Sequence, residues 1–204
     1  MYIYWLGESS FRIKGEEASV VIDPADKSTG LAQSALPSHL VLVSHALKAD
    51  IKRVSPLDGG HPFVIDTGGE YEVHGVFVYA SETSNNQLLY LIKMDNIQIA
   101  HLCALQGALT DQELELFEGA DVALIPVGNE GALDAKTAVS LISQLEPKIV
   151  IPTNFEFPRL NIPRKSADAF LSQMGVKGKE GETSLYVTES KLGEDGVRVV
   201  LLKP

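Results

Sequence analysis

Leu40-Val41-Leu42-Val43 places four apolar residues in succession and then breaks into Ser44 and His45. A run this short, half of it β-branched, reads as a strand buried on both faces. Polar groups that leave the end of such a strand are where the chemistry of layered α/β folds tends to sit. Upstream, Tyr2 to Leu6, Ser10 to Ile13 and Val20 to Ile22 are β-rich pieces separated by Gly7-Glu8 and Gly15-Glu16-Glu17, the pattern of a meander at a sheet edge. Asp23-Pro24 closes the third piece, because proline cannot donate to a ladder and restricts the residue before it.

Lys27 to Ser38 is weakly patterned and reads as loop with a helical turn, and Lys48 to Val54 as a short helix closed by Pro56. Strands follow at Pro62 to Ile65, Glu70 to Val73, Val76 to Ala80, Leu88 to Met94 and Ile97 to Leu102, the last two joined by the hairpin-turn pair Asp95-Asn96. The second half alternates. Thr110-Asp111-Gln112-Glu113 is a capping box, Asp134 caps a helix carrying Val139, Leu141, Ile142 and Leu145, and Ser166 caps a third ended by Gly175. Between them lie strands Asp121 to Val127 and Lys148 to Ile151, the latter ended by Pro152; Thr183 to Val187 and Val197 to Leu202 read as a closing strand pair. With no repeat or linker, the pattern predicts a single domain over 1–204, sheets inside and helices outside.

Composition narrows the partners. Against 27 acidic residues stand 17 Lys and Arg, a net charge of −10, which argues against nucleic acid and anionic lipid. A small-molecule ligand remains compatible with that charge. The lone cysteine, Cys103, excludes an internal disulfide framework and suits a reducing compartment. No apolar run reaches membrane-span length and the first residues lack a basic, signal-like segment, so a cytoplasmic protein is expected.

Trp5-Leu6-Gly7-Glu8-Ser9-Ser10-Phe11-Arg12-Ile13, Ile22-Asp23-Pro24, Leu42-Val43-Ser44-His45, Gly69-Glu70-Tyr71-Glu72-Val73-His74-Gly75-Val76 and His101-Leu102 together resemble, in order, the metallo-β-lactamase superfamily. So do Ile125-Pro126-Val127-Gly128 and Leu145-Glu146-Pro147-Lys148-Ile149-Val150-Ile151-Pro152. The most similar branch is that of small bacterial zinc-dependent hydrolases related to ascorbate-6-phosphate lactonase. The resemblance implies a four-layer αββα sandwich with its site on the loops at one edge of two sheets. It also implies a metal motif, His-x-His-x-Asp-His, whose ligands leave a position for an ionisable water.

Here that loop reads His45-Ala46-Leu47-Lys48-Ala49-Asp50. Leu47 and Ala49 stand where the family has histidine and aspartate, and Asp50 where it has the last histidine. The later His-Leu-Gly-Asp reads His101-Leu102-Cys103-Ala104, the final histidine is Asn154, and the histidine usual after Trp-Leu-Gly is Glu8. The expected remnant pocket is therefore Glu8, His45, Asp50, His101, Cys103 and Asn154, on a scaffold that binds or assembles, with no cofactor. The alternative is an atypical mononuclear hydrolase of a small ester, lactone or phosphoester, with one zinc or manganese ion on His45, His101 and Asp50.

Blander readings stand beside these. His45 and His101 read as partly buried histidines hydrogen-bonded within the old pocket, and Cys103 as a small buried thiol rather than half of a Cys–His pair. Glu8 reads as a loop carboxylate accepting main-chain N–H bonds rather than one of an acid–base pair with Asp50. His61 and His74 fall in turns and read as solvated, and His39 has no evident partner. Thr153 to Pro163 reads as a cover for the pocket or a contact with a partner subunit, since relatives often form homo-oligomers.

Overall fold

The computed structural model describes residues 1–31, 35–128, 133–177, 180–193 and 196–204. The first sheet is built from β1 (Tyr2–Gly7), β2 (Ser10–Lys14), β3 (Ser19–Ile22), β5 (Leu40–Leu42), β7 (Phe63–Ile65) and β14 (Leu185–Tyr186), in the order β14-β1-β2-β3-β5-β7. The second takes β8 (Gly69–Val73), β9 (Val76–Glu82), β10 (Leu88–Met94), β11 (Ile97–His101), β12 (Val122–Pro126), β13 (Ile149–Thr153) and β15 (Arg198–Val199), in the order β15-β13-β12-β11-β10-β9-β8. β3, β5 and β7 run parallel in the first sheet, as do β11, β12, β13 and β15 in the second.

Alternation along β3 and β5 explains why both faces of the first sheet are buried. Val20, Ile22, Leu40 and Leu42 join the large core, while Val21, Val41 and Val43 pack with Leu36 and Val54 in a second cluster. That outer cluster is closed by a parallel ribbon of β4 (Leu36–Ser38) and β6 (Val54–Pro56). Helices α1 (Asp111–Phe117), α2 (Ala135–Leu145) and α3 (Asp168–Gln173) send Phe117, Leu141, Ile142, Leu145 and Phe170 into the large core with the second sheet.

The capping box is formed: Glu113 accepts from the Thr110 N–H at 2.7 Å and donates its own N–H to Thr110 Oγ1. Asp134 Oδ1 caps α2 at 2.7 Å, and Asp95 and Asn96 both have positive φ in their turn. Four local expectations change. Lys48 to Val54 forms a single 3-10 turn at Ile51–Arg53 and then β6, because the Asp26 N–H to Lys48 O and Asp50 N–H to Pro24 O bonds hold the stretch against the loop after β3. Lys27 to Ser38 contains a 3-10 turn at Lys27–Thr29 and the strand β4, its middle lying outside the described residues. β13 continues through Pro152, whose missing N–H lies on the β15 side beyond the Ile149 and Val150 pairing, so no ladder bond is lost. The two closing strands separate: β14 extends the first sheet beside β1 and β15 extends the second beside β13, each covering an open edge.

Candidate functional site at the strand ends

The ends of β1, β3, β5, β11 and β13 meet at one edge, and each chain leaves through left-handed backbone: Glu8 (φ 55°), Asp23 (44°), His45 (62°), Cys103 (49°) and Asn154 (56°). Residues other than glycine and asparagine enter this region only where the surroundings force them, and such positions gather at functional sites. The backbone thus presents side chains from five loops to one place.

Most of those side chains are consumed by one another. Asp23, fully buried, accepts the Ser44 N–H at 2.8 Å and the Ser44 hydroxyl at 2.5 Å. Burial pushes its carboxyl above the ordinary range, against the hydrogen bonds from Ser44 and Ser9. His101, also fully buried, accepts the Cys103 N–H on Nδ1 at 3.1 Å; its proton therefore sits on Nε2, 2.8 Å from the Ser9 carbonyl. Burial lowers its pKa to about 4, so the ring is neutral near pH 7. Burial also pushes the Cys103 thiol well up, and the thiol points to the His101 carbonyl at 3.6 Å rather than to the ring. A Cys–His nucleophilic pair is not formed.

Glu8 continues the network on its other side. Its carboxylate receives both Nε (2.8 Å) and Nη2 of Arg164, which reaches in from the segment after β13. Burial raises the Glu8 carboxyl, opposed by Arg164 and by the Asn154 side chain. Asn154 in turn accepts the Thr153 hydroxyl at 2.7 Å. The expectation that Glu8 caps main-chain N–H groups gives way to this ion pair. The covering segment is anchored on Trp5, whose ring centroid lies 4.7 Å from that of Phe155 and 5.1 Å from that of Phe157. Gly128 permits that closure, since a Cβ there would meet the Asn154 carbonyl at 2.5 Å and the Lys165 carbonyl at 2.7 Å.

Two expected members stay apart. His45 is exposed and its Nε2 faces the Asp66 carbonyl at 3.1 Å. Asp50 is held by its main chain on the Pro24 carbonyl at 2.7 Å, while Glu8 pairs with Arg164. Zinc requires three or four converging nitrogen, sulfur or oxygen donors. At this edge no three His, Cys, Asp or Glu side chains among the described residues bring ligand atoms within 4.8 Å of one another. Both His101 nitrogens are already engaged by main-chain groups. The residues present do not fit the ion.

A family model for the β-lactamase superfamily domain matches residues 2–154. This chain belongs to that superfamily. A metal-dependent hydrolase of the UPF0173 group from Pyrococcus horikoshii is 26% identical over 192 residues, covering 75% of this chain and 84% of its own. A Thermotoga maritima protein assigned to the Zn-dependent hydrolases of the metallo-β-lactamase superfamily superposes with TM-score 0.82 at 27% identity, over 99% of this chain and all of that one. Igni18, a metallo hydrolase from Ignicoccus hospitalis, shares the fold with TM-score 0.66 at 17% identity, over 100% of this chain and 95% of its own. Within the superfamily frame, Ser9, Asp23 and Ser44 stand in the motif segments but carry no assigned role in the sequence, and Arg164 lies one position beyond the stretch read as a cover.

Proposed function

We propose that this superfamily member keeps the hydrolase scaffold, has replaced the metal grip with a network of polar side chains and main-chain groups, and binds or assembles rather than hydrolyses. The observation that carries this reading is His101: fully buried, it spends Nδ1 on the Cys103 N–H and directs Nε2–H at the Ser9 carbonyl, and among the described residues no pair of His, Cys, Asp or Glu ligand atoms converges with it. Leu47, Ala49 and Ala104 are compatible side chains for a pocket with no cation to balance buried polar groups. The Arg164 guanidinium supplies the positive charge beside Glu8 instead. An open cleft of about 420 Å³ beside it, lined by Phe157, Leu160, Asn161, Pro163 and Arg164, is compatible with a small ligand.

The test is turnover of ester, lactone and phosphoester panels with zinc and manganese added, in the wild type and in His45→Asn, which suits the left-handed backbone at that position. The expected outcome is no metal-dependent turnover in either protein. Turnover that vanishes in His45→Asn overturns the reading in favour of a mononuclear hydrolase.

A further inference from the structure

At the opposite end of the sheets, three side chains from three separate connections converge. His39 joins β4 to β5, Asp58 lies between β6 and β7, and His74 forms the tight turn between β8 and β9. The Asp58 Oδ2 atom is 3.3 Å from His39 Nε2 and 3.6 Å from His74 Nε2, and all three donor atoms fall within 4.8 Å of one another. Ligand atoms about 2.0–2.2 Å from one tetrahedral ion are spaced at roughly 3.3–3.6 Å, the spacing of both carboxylate–imidazole pairs. The two rings lie face to face at a tilt, centroids 4.7 Å apart.

The main chain that carries the two imidazoles is held in place. His39 is fixed through its own main chain, donating to Ser19 O at 3.1 Å and accepting from Phe63 N–H at 2.8 Å. His74 sits at φ 51° followed by Gly75 at φ 72°, a two-residue turn that leaves its backbone little freedom. His39 leads directly into β5 of the first sheet and His74 lies in the β8–β9 turn of the second, so an ion here would tie the sheets together.

We propose that His39, Asp58 and His74 form a divalent-cation site of the zinc class that cross-links the two sheets, independent of the superfamily's site. Two imidazoles and one carboxylate are a borderline donor set that suits zinc, nickel or copper over magnesium or calcium. The exposed flank of Asp58 and His74 leaves room for water to complete the shell. One contact works against the ion: the Ser19 N–H donates to His39 Nδ1 at 3.1 Å, which places the ring proton of the free protein on Nε2, facing Asp58. The cation must displace that proton, and the ring must turn Nδ1 off Ser19 to carry it. The site is therefore weaker than a structural zinc centre.

The experiment uses the full chain without an affinity tag, stripped with chelator and titrated with Zn²⁺ by calorimetry and with Co²⁺ by its visible absorption. The expected result is one ion per chain, with affinity lowered on the order of tenfold or more in His74→Asn and in Asp58→Asn and unchanged in His45→Asn. Asparagine at 74 keeps the left-handed turn, and circular dichroism confirms the fold of each variant. No saturable binding, or binding unaffected by His74→Asn and Asp58→Asn, overturns the site. An ion lost in His45→Asn instead overturns the proposed function as well, so the two failures are distinct.

Discussion

His101 shows how full burial and two main-chain partners set the behaviour of an imidazole. Folded, the ring resists protonation until about pH 4, whereas an unfolded histidine takes a proton near 6.5. The unfolded state then binds more protons between those values, so stability is complete above about pH 6.5 and is lost as pH falls toward 4. The loss is about 3 kcal/mol. Asp23 and Glu8, raised by burial, contribute with the opposite sign, their stabilisation fading as pH rises through their elevated range. His101→Gln can donate to Ser9 and accept from Cys103 without titrating. Urea unfolding across pH 4 to 7 is expected to show a shallower acid-side fall in this variant, and an unchanged fall contradicts the neutral, main-chain-bound ring. Arg164→Ala leaves a buried carboxylate without its cation and is expected to cost about 3 kcal/mol, with Glu8→Gln in the same chain recovering part of that loss.

At the scale of elements, the site depends on the segment 154–165 closing over the strand ends, and closure depends on Gly128. Gly128→Ala drives a methyl into the Asn154 and Lys165 carbonyls and breaks the 2.9 Å bond from Lys165 N–H to Gly128 O. It is expected to lower the free energy of unfolding by about 2 kcal/mol, within the range for overpacking, and to speed proteolysis within 154–165. A wild-type cleavage rate contradicts the close approach. Glu146, the left-handed residue after α2, offers the reverse: Glu146→Gly relieves strain and is expected to stabilise by about 0.5–1 kcal/mol in thermal unfolding. These elements differ in how legible they are in sequence. The capping box, the Asp134 cap and the Asp95-Asn96 turn are local chemistry and can be read directly. β4 and β6 cannot, since each is three residues whose apolar members matter only against Val21 and Val41. The destinations of β14 and β15 are set by open sheet edges hundreds of atoms away, not by anything within either strand.

Across the whole molecule, the scaffold was readable because ordered motifs span it, and the site was readable only in part. Substituted positions such as Leu47, Ala49 and Ala104 stand out against the superfamily's metal motifs, but what fills the space does not. Arg164 reaches Glu8 across 156 positions of chain, and Asp23 meets Ser44 across 21. The same holds for His39, read as partnerless, and His74, read as solvated, which meet Asp58, a residue nothing in the sequence singles out. Among the described residues no helix is long and apolar enough to cross a membrane. Metal content per chain, measured on untagged protein after dialysis at neutral pH in the wild type, His45→Asn and His74→Asn, tests the central claim most directly. The expected result is that no tightly held zinc or manganese depends on His45, any retained ion being lost with His74. One ion per chain that survives dialysis in the wild type and His74→Asn but disappears in His45→Asn would contradict it.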